Sequence, residues 1–410
     1  MSVSIASAFN QNAMPELAGT KAVPRYDTVL VFVCVLLLLT GLIMIASASV
    51  DIADARNGNP FHYVTRHGIF ILLGCVAGVF TFQLPSSWWQ KSGWLALSLS
   101  LVLLLLVILP GIGKNVNGST RWISLGSINF QPSELAKLLL ISYLAGYLVR
   151  RRDEVRSSWW GFAKPMLVMA VVAMLLLSEP DLGATVVIGS AFLGMIFLSG
   201  VKLGQFMVLI SGCLVSVGLL IYSQPYRLKR LVGYTDPWAD PYGTGYQVIQ
   251  SLIAFGRGDW SGVGLGNSIQ KQFYLPEAHT DFVFAILAEE FGLIGTLVVV
   301  SLFSVLVYRA IRIGYLAEKK QQLFSAYFAY GIGILLGVQS FINIGVNMGL
   351  LPTKGLTLPL VSYGGSSLVV SCMCIGVLLR IHRDVVALEF EPNDFTQVNA
   401  EINLKMIERT

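Results

Sequence analysis

The fold turns on Tyr274-Leu-Pro-Glu-Ala-His-Thr-Asp-Phe-Val-Phe-Ala-Ile-Leu-Ala-Glu-Glu-Phe-Gly-Leu-Ile-Gly-Thr-Leu-Val-Val-Val300. A polar segment ends on a carboxylate, Asp281, and an apolar run opens at Phe282 and continues to Ala310. About 20 residues of helix span a hydrocarbon core, so this run predicts a membrane helix entered at Asp281. Similar runs cover Thr28–Ala46, His67–Leu84, Gly93–Leu109, Glu134–Val149, Pro165–Leu177, Leu182–Leu198, Leu203–Tyr222, Leu323–Met348 and Leu360–Ile381. The expected fold is an all-α integral membrane protein of about ten transmembrane helices.

Composition agrees. The chain of 410 residues is 55% hydrophobic and only 12% charged, where soluble domains carry roughly 25% charged residues. The net charge of +5 reads as orientation in a bilayer, with membrane lipid as the surrounding partner and no nucleic acid. Cys34, Cys75, Cys213, Cys372 and Cys374 all fall inside predicted spans, with no metal-ligand spacing and no disulfide framework. Ala46-Ser47-Ala48 resembles a signal-peptidase site. The run before it is long and starts far from the first residue, so it is read as a retained anchor.

Basic residues set the sidedness. Arg150, Arg151, Arg152, Arg156 and Lys164 form one cluster, Arg309, Arg312, Lys319 and Lys320 a second, and Arg380 and Arg383 follow the last span. With ten spans all three lie on one side with Lys21 and Arg25, which makes that side cytoplasmic. Residues 1–26 and 385–410 then form cytoplasmic tails around a membrane domain at 27–384. The long loop Ser223–Asp281, between spans seven and eight, faces outward. Inside it, Tyr246 to Phe255 carries apolar residues at helical spacing, which suits either an interfacial helix or one packed on the spans.

Charges at membrane depth are costly and mark candidate sites. Glu134 and Lys137 share a helix face as a self-neutralising pair. Glu289 sits beside Glu290 early in the span after Asp281. Glu179-Pro-Asp181 forms an outward corner where Asp181 is placed to cap the next helix. Arg121 and Lys354 are cations on the outer side, against the usual bias, and point to an anionic ligand. Gly262-Val-Gly-Leu-Gly266 lacks the strand and βαβ context of a nucleotide loop. Ser362-Tyr-Gly-Gly-Ser-Ser367 opens the last span with small residues, for close packing or substrate approach. Asn117-Gly-Ser119 matches a glycosylation sequon, a short match that arises by chance.

Tyr274-Leu-Pro-Glu-Ala-His-Thr-Asp-Phe282, Gln131-Pro-Ser-Glu-Leu-Ala-Lys137, Glu179-Pro-Asp-Leu-Gly183 and Leu358-Pro-Leu-Val-Ser-Tyr-Gly-Gly-Ser-Ser367 together resemble the SEDS family (shape, elongation, division, sporulation). The polar tail, Lys354 within Pro352-Thr-Lys-Gly355, and Gly264 to Phe273 are closer to its division branch than to its elongation branch. The resemblance implies a peptidoglycan glycosyltransferase of the bacterial inner membrane that polymerises lipid II at the division septum. It implies a class B penicillin-binding transpeptidase (FtsI type) and the FtsQ–FtsL–FtsB activators as partners. It also implies help from a divalent cation, Mg²⁺ or Mn²⁺, although the residues themselves carry no metal signature.

That chemistry suits the residues. The linkage changes from α to β, so one inverting displacement with a general base suffices. The leaving diphosphate needs positive charge more than a proton. Asp281 matches the family's catalytic aspartate and is the expected base, with capping of the eighth span as the alternative role. Arg121 and Lys354 are the expected diphosphate ligands, with Arg257 and Lys271 behind them. Glu277 and His279 flank the base, and Ser366 is a further substrate contact. A lipid II flippase, or a divisome scaffold, is the competing expectation. The clustering of polar residues at one end speaks against a path through the membrane.

Overall fold

The computed structural model describes residues 26–116, 119–126, 128–222, 236–353 and 355–387. Lys354, Asn117 of the sequon, Arg227, Lys229, Arg230 and nearly all of both predicted tails lie outside the described residues. The helices are α1 (Thr28–Asn57), α2 (His62–Gln83), α3 (Ser86–Lys91), α4 (Gly93–Ile108), α5 (Pro132–Arg150), α6 (Arg152–Ser157) and α7 (Trp159–Ser178). They continue with α8 (Leu182–Leu198), α9 (Leu203–Tyr222), α10 (Tyr246–Gly258), α11 (Val283–Lys319), α12 (Leu323–Asn347) and α13 (Gly365–Ala387). Every predicted apolar run falls on one of them.

Among the described residues, six helices are long and apolar enough to cross a membrane: α1, α2, α7, α11, α12 and α13. Gly93–Ile108 and Leu182–Leu198 are shorter apolar helices. Outward faces are apolar, as lipid requires: Ile69, Leu72, Val76 and Phe80 are exposed along α2. The other side of α2 packs on α13, where Gly74 and Gly78 lie against Cys372. The centre is α5, buried along almost its whole length, with α12 beside it.

Three features depart from the predicted picture. The connection predicted between Gly111 and Pro132 is not all loop, so the chain is not purely α. Gly113–Val116, Ser119–Leu125 and Ile128–Phe130 form a three-stranded antiparallel sheet, β1–β2–β3. Thr120, Trp122 and Ile123 supply the β-branched and aromatic content a strand favours. Ile123 pairs with Gly113 on one side and Phe130 on the other. The first span also continues as helix to Asn57, where Gly58 closes it in a left-handed conformation (φ 63°).

The third feature is a break in α11. Gly292 sits at φ 65°, ψ −162°, so the helix stops after one short segment and restarts. A break frees backbone groups that lipid cannot satisfy. Residues 258–264 fill it. Val263 and Gly264 donate to the carbonyls of Glu289 and Glu290 at 3.0 and 3.1 Å. Leu293 and Ile294 donate to Asp259 and Trp260 at 2.9 and 3.2 Å. A side chain on Gly262 or Gly292 would collide with the opposing backbone. Gly262 thus serves close backbone approach, and Gly264 and Gly266 supply the left-handed turns beside it (φ 93° and 85°).

Candidate functional site

Asp281 stands at the mouth of α11, one residue before its N-cap Phe282. The approach to it is a tight turn. Glu277 takes the left-handed conformation (φ 57°) and its carbonyl receives the N–H of Thr280 and of Phe282, at 3.1 and 3.2 Å. Two amides from α12 then grip the Asp281 carbonyl: Asn343 and Asn347 each donate from Nδ2 at 2.9 Å. Asn343 also donates to Leu356 O at 2.6 Å, tying the approach of α13 to the same point. The first-turn N–H of Ala285 goes to Asn347 Oδ1 at 3.0 Å. Asn347 thus accepts a first-turn donor at the start of α11, where the alternative role expected Asp281 to cap. Loss of water around the Asp281 carboxyl, reinforced by Glu277, pushes its pKa up to about 7 against the pull of Arg121.

Arg121 comes from β2 to the same space as this carboxylate. A Cβ on Gly355 would lie 3.4 Å from Asp281 Oδ2 and 3.7 Å from Arg121 Nη1, so both groups line the space over one glycine. The guanidinium is anchored from behind by the α7–α8 corner. Its Nε donates to Glu179 O at 3.3 Å, its Nη2 to Pro180 O, and its Nη1 lies 4.0 Å from Asp181 Oδ1. Asp181 performs the predicted capping, accepting from Ala184 N at 3.1 Å. Its other oxygen faces Gln131 Nε2 and Ser133 Oγ, both at 3.4 Å. Ser366 Oγ accepts from Gln131 N at 2.9 Å, which joins the starts of α5 and α13. Glu179 is fully buried, and burial with the Asp181 charge pushes its pKa up to about 8.

The pair predicted within α5 is present: Lys137 Nζ lies 2.7 Å from Glu134 Oε2. Lys137 also donates to Gln339 Oε1 at 2.8 Å, and Gln339 Nε2 donates to Thr357 O at 3.0 Å. These contacts reach the chain leading into α13 from inside the bundle.

Arg257 and Lys271 are engaged in ion pairs. Arg257 Nη1 is 2.8 Å from Glu289 Oε1, and Lys271 Nζ is 2.9 Å from Glu290 Oε1. Glu289 also accepts from Ser268 Oγ and from the N–H groups of Ile269 and Gln270, at 3.0 and 3.2 Å for the latter two. Glu290 accepts from Ser47 of α1 at 2.6 Å. Both carboxylates therefore bind residues 268–271 to the helices, and the two cations act as fasteners of the segment that carries Asp281. The predicted short helix is α10. It packs on α11, with Phe255 and Phe284 ring centroids 5.9 Å apart. His279 is buried against Tyr63 and Tyr363, at centroid distances of 4.7 and 5.7 Å. Burial lowers its pKa, which keeps it neutral. Glu277 is exposed and accepts from Thr280 Oγ1 at 2.7 Å.

Asn343, Asn347, Gln339, Gly355 and Gly292 have no place in the sequence-based expectations. Asn343 and Asn347 did leave a trace there: two amides one helical turn apart in an apolar run. Among the described residues, no group of three or more His, Cys, Asp or Glu is placed to hold a metal ion. A resident cation does not fit this donor set, in which Arg121 stands beside the carboxylates. A cavity of about 500 Å³ lies elsewhere, among Ser86, Gln90, Gln322, Arg380 and Asp384.

The FtsW/RodA/SpoVE family model, described as cell cycle protein, matches residues 27–386. The chain belongs to this family. Members of the FtsW/RodA/SpoVE family similar to it include the probable peptidoglycan glycosyltransferase FtsW of Hahella chejuensis, 61% identical over 349 residues, covering 85% of this chain and 88% of that protein. The protein of the same name from Marinobacter nauticus is 55% identical, covering 95% of this chain and 96% of that one. Two solved structures share the family fold. A chain of the structure described as "Structural coordination of polymerization and crosslinking by a peptidoglycan synthase complex" has a TM-score of 0.73 at 31% identity, covering 90% of this chain and 99% of that chain. The rod shape determining protein RodA of Thermus thermophilus has a TM-score of 0.65 at 28% identity, covering 88% of this chain and 97% of that one.

Proposed function

We propose that this multi-pass membrane protein is a peptidoglycan glycosyltransferase that polymerises lipid II by one inverting displacement, with Asp281 as the general base. The observation that carries the reading is Asp281 and Arg121 over Gly355, a base and a cation lining one space. The acceptor sugar's 4-hydroxyl attacks the donor's anomeric carbon. Its proton passes to the Asp281 carboxylate, and the bond to the lipid diphosphate breaks with its electron pair. A pKa near 7 leaves much of Asp281 ionised at neutral pH, yet basic enough to take that proton. The departing diphosphate is already a weak base, and Arg121 offers it a charge held in place beforehand. Lys354 belongs to the same segment as Gly355 and is the second proposed ligand.

Asn343 and Asn347 position the base through its backbone, and the Glu289 and Glu290 pairs hold the segment before it. With ten spans, the Asp281 end faces the periplasm, where lipid II presents its sugars. A class B penicillin-binding transpeptidase is the proposed partner, FtsQ–FtsL–FtsB the proposed activators and the septum the proposed location. No step requires a divalent cation held by the chain itself. The test is elongation of labelled lipid II by the purified protein with its transpeptidase. Asp281→Asn is expected to lower the rate by about 10²–10⁴-fold. Full polymerisation by that variant would remove the base from the mechanism.

A further inference from the structure

Glu179 is used by nothing described so far. It is 0% exposed, and neither carboxyl oxygen has a hydrogen-bond partner. The neighbouring Arg121 bonds to the main-chain carbonyls of Glu179 and Pro180, not to the Glu179 carboxylate. The charged groups facing Glu179 are Asp181, on its own corner, and Arg121 from β2. Arg121 and Asp181 also act on the Asp281 carboxyl, as does Glu277.

A buried carboxylate with no donor is strongly disfavoured as the ion. Asp181 is already the acidic partner of the one guanidinium, and it accepts from Ala184 N. The corner is thus neutral while Glu179 holds its proton. Ionisation of Glu179 would place two carboxylates behind one cation and make the corner anionic, facing the site of an anionic ligand.

We propose that Glu179 is a positioning residue for the anion site: as the neutral acid it supports Arg121 without neutralising it, and its ionisation closes Arg121 to a lipid diphosphate. The pKa raised to about 8 sets the range in which this is visible. The sign is fixed: binding is strong below that value and weakens as the pH passes through it.

The inference rests on the lipid-diphosphate reading of the site, and its readout is binding, so it can fail independently of polymerisation. Undecaprenyl diphosphate is titrated onto the full-length protein in detergent at about pH 7 and about pH 9. The Asp281→Asn background removes the titration of the base. The dissociation constant is expected to rise about tenfold across that range, and less than about twofold once Glu179→Gln is added. Glu179→Leu, apolar and of similar size, gives the same flat profile and serves if the amide variant does not fold. An equal rise with and without Glu179, or no rise in the Asp281→Asn protein, overturns the proposal. Failure of the unsubstituted protein to elongate lipid II with its transpeptidase counts against the polymerase reading alone.

Discussion

Asp281 is held by its backbone and left with an unfavourable environment for its charge, and both facts have measurable consequences. Its folded pKa, about 7, lies above the value of 3.8 for a free aspartate. A raised carboxylate pKa contributes stability that is complete below the unfolded value and lost as pH rises through the folded one. The protein should therefore melt at a higher temperature near pH 5 than near pH 8, and Asp281→Asn should narrow that difference in a thermal-shift measurement. Activity runs the opposite way, rising through about pH 7 as the base ionises, which an initial-rate pH profile would register. Lys271 gives a cleaner stability test. Its side chain and that of Glu290 are 7% and 0% exposed. Lys271→Met leaves a buried carboxylate unpaired and should cost about 3–5 kcal/mol, read as a lowered melting temperature. At this scale the sequence was informative about which residues matter. It named Asp281, Arg121, Glu179 and Asp181, because charge among apolar neighbours stands out. It ranked Arg121 ahead of Arg257 and Lys271 but did not show that the latter two are paired with Glu289 and Glu290. That pairing depends on which carboxylate lies opposite, and no local pattern records it.

At the scale of elements, the apolar runs named every major helix, since each must match a bilayer. The sheet at 113–130 and the break at Gly292 were not legible. Strands this short carry little periodicity, and a break is visible only against the segment that fills it. Gly292→Ala tests the break directly. The left-handed φ penalises any side chain by about 1–3 kcal/mol, and the added methyl also meets the backbone of residues 260–262. The variant should be markedly less stable and more susceptible to proteolysis within residues 258–264, both measurable in detergent. Asn347→Ala tests a gentler dependence. It removes the donor to Asp281 O and the acceptor for Ala285 N. Polymerisation should fall about tenfold or more through misplacement of the base, with the protein still folded by its elution profile.

For the whole molecule, sidedness is open to direct labelling. Tyr242 lies in the long loop and is 92% exposed. With the native cysteines replaced by alanine, Tyr242→Cys should be labelled in intact spheroplasts by a membrane-impermeant maleimide. Protection until the membrane is permeabilised would put the site on the wrong face for an exported precursor. The polar groups that argue for a polymerase converge on one end of the bundle, where α5, α8, α11 and α13 all begin. Lys137 and Glu134, both buried in α5, neutralise each other instead of lining a route. The filled gap at Gly292 bears on biogenesis. Residues 258–264 are synthesised before Gly292, so those glycines have no opposing backbone until it follows. The second part of α11 is apolar enough to enter the bilayer unaided, whereas the first part carries Glu289 and Glu290. Insertion of that half-helix and seating of the loop must then be a single late event, and a nascent chain stalled between them would expose two acidic side chains to the translocon.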